Sequence, residues 1–236
     1  MHAPQTGHLL ASERVLGYLQ TYNKGRVIYD TSYLDHDLVI PEEEHSWKEF
    51  YPDAEEIIME KAPPPKGKKV RITVYVDADH AHDQVTRRLV TGILLLLNNT
   101  PVRYISKRQK TVESSTYGSE LVAARLATEL VMETRCMLRD LGVPIDGPTV
   151  MFGDNMSVVL NTSVPSSMLK KKHNSIAYHI VREAIAAGYL RFRHINSQSN
   201  IADVLTKPLG AKVFHQLIGN YLFRKPKTLL EATKKE

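Results

Sequence analysis

Cysteine and tryptophan are scarce in this sequence, with one residue of each among 236. Because the single cysteine, Cys136, has no partner in the chain, an intramolecular disulfide framework is excluded. We expect Cys136 to be a small buried residue in a reducing compartment. The longest apolar run, residues 93–97, is far shorter than the roughly 20 residues of a membrane-spanning helix. With no signal-peptide pattern at the N-terminus, these absences predict an intracellular protein that does not enter a membrane.

The composition is that of an ordinary folded protein. Apolar residues make up 42% of the chain and charged residues 24%, which excludes general disorder and collagen-like repeats. Lysine and arginine number 31 against 26 acidic residues, so the formal charge is +5. This excess of positive charge favours a polyanionic partner, although other basic proteins share it.

The first part of the chain differs in character from the rest. Leucines recur at helical spacing over residues 9–19 and predict a helix, and a short strand is predicted at residues 27–29. Residues 32–62 are acidic and weakly patterned, with aromatic residues as candidate anchors onto a neighbouring surface: Trp47, Phe50 and Tyr51. Proline and lysine dominate residues 63–69, which we interpret as a linker into the main domain.

The main domain has an alternating pattern of strands and helices. Residues 72–77 alternate apolar and polar side chains, which is typical of a strand, and two further strands at 89–97 and 102–106 complete an antiparallel meander. The remaining predicted elements are a helix at 115–141, a strand at 149–153, helices at 156–161 and 175–187, a strand at 189–195 and a last helix from Asn200. In the first of these helices we expect Gly142 and Pro144 to mark the end, and a buried stripe of five residues: Ala123, Leu126, Leu130, Met137 and Leu141. This order predicts an α/β fold, with helices flanking a mixed five-stranded sheet.

Four acidic residues stand at predicted strand ends or on helices that oppose them: Asp77, Glu120, Asp154 and Asp203. They are separated by 43, 34 and 49 positions, so only the fold can unite them. Strand ends of an α/β sheet converge on a crevice, and clustered carboxylates repel one another unless a cation lies between them. The plain alternative is that each is a solvated surface acid. The apolar sequence beside Asp77 and Asp154 favours a site.

Oxygen ligands of this kind favour Mg²⁺ or Mn²⁺. Two such ions about 4 Å apart can hold a phosphodiester, activate a water molecule and neutralise the leaving oxygen. The four carboxylates therefore predict metal-assisted phosphodiester hydrolysis.

Several segments together resemble the ribonuclease H domain of copia-type LTR retrotransposon polyproteins. In chain order they are residues 75–79 (YVDAD), 106–109 (SKRQ), 111–116 (TVESST), 153–155 (GDN), 172–176 (KHNSI), 178–179 (YH), 181–183 (VRE) and 202–209 (ADVLTKPL). Their order and spacing agree with that family over residues 71–210. Residues 11–19 (ASERVLGYL) also resemble the segment that joins the reverse transcriptase to this domain.

The resemblance implies a ribonuclease H-like fold, with three antiparallel strands followed by two parallel ones. It implies hydrolysis of the RNA strand of an RNA/DNA hybrid, leaving 5′-phosphate and 3′-hydroxyl ends. The family's metal-binding catalytic acids correspond to Asp77, Glu120, Asp154 and Asp203, which would hold two Mg²⁺ ions, with Mn²⁺ as a substitute. Asp79 and His194 are auxiliary candidates, the latter for product release or as a structural strand-end histidine.

Substrate contacts are expected from two basic clusters and from small polar side chains near the acids. Cations would neutralise backbone phosphates, and small polar groups would reach ribose 2′-hydroxyls. The candidates are Lys107, Arg108, Lys110, Ser115, Thr116, Asn155, Lys171, Lys172 and His173. Alternatively, each basic cluster is only a solvated charged surface, and Ser115 or Thr116 only caps a helix.

The resemblance divides the chain into three parts. Residues 1–68 would be a remnant of the reverse transcriptase connection with its linker, residues 69–210 the nuclease domain, and residues 211–236 a helical or flexible tail. The expected partners are an RNA/DNA hybrid and the reverse transcriptase of the same polyprotein, in a cytoplasmic virus-like particle or the nucleus. Two alternatives stay open: a noncatalytic nucleic-acid-binding or structural connection domain, and a related nuclease that acts on DNA.

Overall fold

The computed structural model describes residues 5–33, 45–79, 89–109, 115–169 and 174–222. Its helices and strands follow the predicted order closely. They are α1 (Thr6–Thr21), β1 (Ile72–Asp79), β2 (Val90–Leu97), β3 (Thr100–Arg108), α2 (Thr116–Asp140), β4 (Thr149–Gly153), α3 (Met156–Ser163), α4 (Ser175–Ala186), β5 (Leu190–His194) and α5 (Ala211–Leu222), with short 3-10 helices at Ser197–Ser199 and Ile201–Leu205 between β5 and α5.

The five strands form one sheet in the order β3-β2-β1-β4-β5. β1 pairs antiparallel with β2 and parallel with β4, β2 pairs antiparallel with β3, and β4 pairs parallel with β5. The predicted mixed sheet, three antiparallel strands followed by two parallel strands, is therefore confirmed. β1 lies at its centre, which explains why seven of its eight residues are buried although only alternate ones are aliphatic.

Each face of the sheet carries its own apolar core. On one face, Val74 and Val76 of β1 share a buried cluster with Leu121 and Ala127 of α2. On the other face, Tyr75, Leu94 and Leu96 pack with Ile201 and with Leu217 of α5, all less than 9% exposed. The helix α5, beyond the last predicted motif, therefore covers the second face of the sheet.

Two predicted elements differ from the structure. Residues 27–29 form no strand; the N–H groups of Arg26 and Ile28 instead donate to the carbonyls of Leu222 and Tyr221 at the end of α5. The last predicted helix, from Asn200, is the short 3-10 helix Ile201–Leu205. Five residues with a following proline at 208 do not extend into a regular α-helix, because proline removes a backbone donor.

The apolar pattern of α2 over-predicted its buried face. Ala123 and Leu130 are buried, whereas Met137 is 48% and Leu141 69% exposed, and Cys136 is half-buried rather than buried. Leu138, in the same last turns of α2, is only 5% exposed, so the buried stripe continues through Thr134 and Leu138. Met137 and Leu141 therefore lie at the exposed edge of this stripe.

The acidic segment before residue 63 is anchored to the α/β domain by ionic and aromatic contacts. The carboxylate of Glu56 pairs with Arg135 at 2.7 Å and with Arg139 at 2.6 Å, both on α2. The Trp47 ring lies 4.9 Å from the guanidinium carbon of Arg182 on α4. Tyr51 also makes an anchoring contact, a 2.8 Å hydrogen bond between its hydroxyl and Nδ1 of His179, whereas Phe50 is 45% exposed.

Within the part of the chain that the structure describes, no helix is long and apolar enough to cross a membrane.

Candidate active site

Two of the four predicted acids lie side by side at the ends of adjacent parallel strands. Tyr75 of β1 pairs with Phe152 of β4. Two residues further along each segment, in the same direction, are Asp77 and Asp154. Parallel strands present equivalent ends at one edge of the sheet, so the two carboxyl groups arrive together. Asp77 is 1% exposed, whereas Asp154 is half-buried.

The third acid, Glu120, reaches the same point from α2. The helix begins at Thr116, and its N-cap residue, Ser115, accepts a hydrogen bond from the N–H of Gly118 at 3.3 Å. Buried Gln109, just after β3, donates to the hydroxyl of Thr91 at 2.9 Å and to the carbonyl of Ser119 at 3.0 Å. This side chain therefore ties the sheet to the turn of α2 that carries Glu120.

Together the three residues form a carboxylate triad: each of Asp77, Glu120 and Asp154 offers an oxygen within 4.8 Å of the others. The triad lies in an open cleft of about 450 Å³, lined also by Asp79 and Asn155. Three hard oxygen donors at this separation suit a divalent cation such as Mg²⁺ or Mn²⁺. The residues present therefore fit the metal that the sequence predicts.

The electrostatics of the cluster show why a cation would be favourable. Burial raises the pKa of Asp77 to about 6, with the nearby charges of Asp203 and Asp154 adding to the shift against the opposing contacts of Thr206 and Lys207. Burial, followed by the charges of Asp77 and Asp154, holds the pKa of Glu120 well above its usual value. Without a counter-ion, the charged forms of these acids are therefore destabilised in the folded protein.

The fourth acid, Asp203, stands on the 3-10 helix Ile201–Leu205, near Asp77 but outside the triad. Buried Asn200 fixes the start of this helix by donating to the carbonyl of Val76 at 3.0 Å. The Asp203 carboxylate accepts a 2.8 Å hydrogen bond from Nζ of Lys207. Asp203 therefore joins the cluster through a lysine and is not part of the triad itself.

Thr206 and Lys207 are site residues that were not nominated from the sequence. The Thr206 hydroxyl donates to the Asp77 carboxylate, and Nζ of Lys207 lies 3.4 Å from the same group. These contacts with Asp203 and Asp77 raise the pKa of Lys207 against the effect of its burial, so the ammonium stays charged. The signal lay in residues 202–209, where both follow the last acid by a few positions.

The two auxiliary candidates lie at the edges of the cluster. Asp79, two residues beyond Asp77 on β1, lines the cleft. His194 ends β5 beside Gly153, and its Nε2 is 3.2 Å from the backbone carbonyl of Asp154. The histidine thus contacts the main chain of the acid rather than its carboxylate.

The proposed substrate-contacting residues fall into three groups. Lys107 and Arg108 end β3 at the level of Ala78 and Asp79, two strands and so about 10 Å away. Thr116 and Asn155 line the cleft, and the Asn155 side chain also caps α3 by accepting from the N–H of Val158 at 3.2 Å, while Ser115 caps α2. The others lie outside the described residues: Lys110, Lys171, Lys172 and His173.

Gly92 of β2 permits the close approach of the helix that carries Asp203. It pairs with Asp77, and a Cβ atom at this position would lie 2.6 Å from Cγ2 of Thr206 and 2.9 Å from the Ala202 carbonyl. We expect Gly92→Ala to lower the free energy of unfolding by about 1–3 kcal/mol, because the backbone of the 3-10 helix must shift. Urea unfolding would measure this loss.

Gly219 supplies the matched control. It lies within α5, with no atom within 4 Å of an added Cβ outside the local backbone of its own helix. Gly219→Ala should leave stability unchanged or raise it by up to about 1 kcal/mol through helix propensity. Equal stability of the Gly92→Ala protein and the natural one would contradict the close approach.

Comparison with known proteins identifies homologues of this chain. No protein-family model matches it. The retrovirus-related Pol polyprotein from transposon RE1 of Arabidopsis thaliana is 32% identical over 151 residues, 63% of this chain and 10% of the relative. The Pol polyprotein from transposon TNT 1-94 of Nicotiana tabacum is 29% identical over 148 residues, 61% of this chain and 11% of the relative. The chain thus spans about a tenth of the length of these curated relatives.

Solved structures with a similar chain path include two ribonucleases H1. One is LC11-RNase H1 in complex with an RNA/DNA hybrid, 16% identical, with a TM-score of 0.46 over 58% of this chain and 94% of that one. The other is RNase H1 from Halobacterium salinarum, 16% identical, with a TM-score of 0.43 over the same shares. On its sequence matches, the chain is a homologue of one segment of retrovirus-related Pol polyproteins, and its sheet has the strand order predicted for a ribonuclease H-like fold.

Proposed function

We propose that the chain is the ribonuclease H domain of a retrotransposon Pol polyprotein and hydrolyses the RNA strand of RNA/DNA hybrids with a divalent cation. The observation that carries the proposal is the triad of Asp77, Glu120 and Asp154, whose oxygens approach within 4.8 Å in an open cleft at the sheet edge. The Pol polyprotein relatives support the same reaction class. The action would take place inside the cell, in a virus-like particle or the nucleus.

The reaction is the hydrolysis of one phosphodiester bond. A water oxygen forms a bond to phosphorus and loses a proton, the bond from phosphorus to the ribose 3′-oxygen breaks, and that leaving oxygen takes up a proton. The products are a 3′-hydroxyl and a 5′-phosphate. The bound cation would offset the charge of the phosphate and lower the pKa of a water molecule.

The role proposed for the chain is to hold the cation and orient the substrate. Asp77, Glu120 and Asp154 would hold Mg²⁺, or Mn²⁺ in its place, with Asp203 contributing to a second ion. Burial keeps water from screening Asp77 and Glu120, so their attraction for a cation exceeds that of surface acids.

Nucleic-acid contacts would come from the rim of the cleft. Lys107 and Arg108 stand about 10 Å from the acidic edge of β1, within reach of a backbone phosphate that flanks the cleaved one. The side chains of Thr116 and Asn155 line the cleft itself, where ribose 2′-hydroxyls would distinguish RNA from DNA.

The function is tested by incubating the purified chain with a labelled RNA/DNA hybrid and Mg²⁺, alongside duplex DNA and duplex RNA. We expect cleavage of the RNA strand of the hybrid alone, and its loss in Asp154→Asn and on addition of EDTA. Cleavage of duplex DNA would favour a DNA nuclease of the same fold. Hybrid binding without cleavage would favour the noncatalytic alternative, and equal activity of the Asp154→Asn protein would reject the site.

A further inference from the structure

A lysine ammonium already lies among the carboxylates of the cleft. Nζ of Lys207 is 2.8 Å from Oδ1 of Asp203 and 3.4 Å from the carboxylate of Asp77. The side chain of Lys207 is 30% exposed and lines the cleft. The lysine is four residues from Asp203 and 130 from Asp77, so it bridges two elements that the fold brings together.

Asp77 takes part in two sets of contacts within the cluster. In the first, Asp77 belongs to the triad with Glu120 and Asp154. In the second, Asp77 and Asp203 share the single positive charge of Lys207. Oxygens that coordinate a second divalent ion between Asp77 and Asp203 would be the same atoms that now contact this ammonium.

We propose that Lys207 is a built-in counter-ion that competes with a second divalent cation for the oxygens of Asp77 and Asp203. The triad then takes up one ion tightly, and a second ion binds only when the lysine side chain moves away. This inference rests on the proposed metal dependence and concerns how many ions the site accepts at a given concentration.

The lysine side chain is suited to this role. A compact ammonium on a flexible four-carbon stem can leave its partners by rotation about side-chain bonds, without a change in the backbone. The partial exposure of Lys207 gives it water to move into. Thr206 donates its hydroxyl to Asp77 independently of the lysine, so the Asp77 carboxylate keeps one of its fixed contacts when Lys207 leaves.

A purely structural ion pair would have a different consequence. It would fix the position of Ile201–Leu205, so its loss would lower stability and leave the relative affinity of two ion sites unchanged. Competition predicts that removal of the ammonium selectively strengthens the second site. The ratio of the two dissociation constants separates these roles, because a general change of charge affects both sites.

The test is a titration of the full chain with Mn²⁺ alone, followed by calorimetry and by electron paramagnetic resonance of free Mn²⁺. In the natural protein we expect one tight site and a second, weaker one. In Lys207→Met, the ratio of the second to the first dissociation constant should fall at least about tenfold, as expected for the loss of a charge in contact with the ligands. Lys207→Arg, which keeps the charge, should resemble the natural protein.

Lys212→Met is the matched control, since it removes an exposed lysine of α5 and should leave the ratio unchanged. Lys207→Gln, which keeps a polar side chain, repeats the measurement if the Met variant does not fold. An unchanged ratio in the neutral variants, or two equally tight sites in the natural protein, would overturn the inference and leave the proposed function standing. Absence of any Mn²⁺ binding would instead reject the metal-dependent function itself.

Discussion

Replacing Glu120 with Gln should abolish hydrolysis of the hybrid and at the same time raise the melting temperature of the metal-free protein. Both effects follow from the negative charge that Glu120 places beside Asp77 and Asp154 in a buried position. That charge attracts a cation when one is bound and repels its neighbours when none is. The loss of activity and the gain in stability therefore both measure the charge of the Glu120 carboxylate, the first with a cation bound and the second without one.

Loss of activity should be at least about a thousandfold, since a metal ligand contributes several kcal/mol to transition-state stabilisation. The gain in stability should be on the order of 1 kcal/mol, a rise of about 2–4 °C in Tm for a chain of this size. The sign follows from the pKa of Glu120, which burial and the neighbouring acids raise. An acid whose pKa is raised on folding destabilises the folded state as the pH rises through that pKa, and Gln removes this effect.

Differential scanning calorimetry at pH 8, with EDTA and then with Mg²⁺, would measure both states. Mg²⁺ should raise the Tm of the natural protein and leave that of Glu120→Gln nearly unchanged, because a ligand stabilises only the state that binds it. Glu129→Gln is the control: Glu129 lies on the same helix, 42% exposed and paired with Arg125, and its loss should change Tm and activity little. A lower Tm of metal-free Glu120→Gln would contradict the repulsion.

Replacing Glu56 with Gln should lower the free energy of unfolding by about 3 kcal/mol, a value typical of breaking a buried ion pair. Glu56 bonds Arg135 through both carboxylate oxygens, at 2.7 and 2.9 Å. The Arg135 side chain is only 4% exposed and also donates to the Gly147 carbonyl. Gln would leave this buried guanidinium without an anion, and the segment around residue 56 would lose its main tie to α2.

Lowering the pH should reduce the free energy of unfolding of the natural protein through the same pair, Glu56 and Arg135. Although burial alone would raise the pKa of Glu56, its hydrogen bonds and attraction to Arg135 and Arg139 lower it below the usual value. A carboxylate with a lowered pKa stabilises the fold above the pKa of the unfolded chain, and this contribution is lost as the pH falls through the folded pKa. Glu56→Gln should therefore lose less stability than the natural protein across that acidic window.

Urea unfolding between pH 3 and pH 7 would measure both effects. Glu55→Gln is the matched control because Glu55, next to Glu56 in the chain, is exposed. A substitution at such a position usually changes the free energy of unfolding by no more than about 0.5 kcal/mol. A loss for Glu56→Gln no larger than that of the control would mean that the segment before the linker is not anchored by this pair. Hybrid cleavage should persist in the folded Glu56→Gln protein, since Glu56 is absent from the residues that line the cleft.

Local sequence patterns predicted the elements of the α/β fold because their signals are short in range. Alternation over residues 72–77 identified the central strand, and Gly142 with Pro144 marked the end of α2 within two residues of its observed end at Asp140. The same patterns placed Met137 and Leu141 in the buried stripe of α2, although both lie at its exposed edge while Leu138 between them is buried. Helical spacing shows which side chains share a face, but not how wide a strip of that face the neighbouring layer covers.

The sequence by itself determined the five strands, the helices α1 to α4 and the mixed sheet, and it nominated the four acids, because the hydrophobic periodicity and the family resemblance are properties of the sequence alone. Only the tertiary structure decided that Asp77, Glu120 and Asp154 form the triad while Asp203 meets Asp77 through Lys207. It also decided that Glu56 binds Arg135, 79 positions away. The physical reason is that the energies of these contacts depend on distance and burial, which arise only when the sheet assembles and brings remote side chains within a few ångströms.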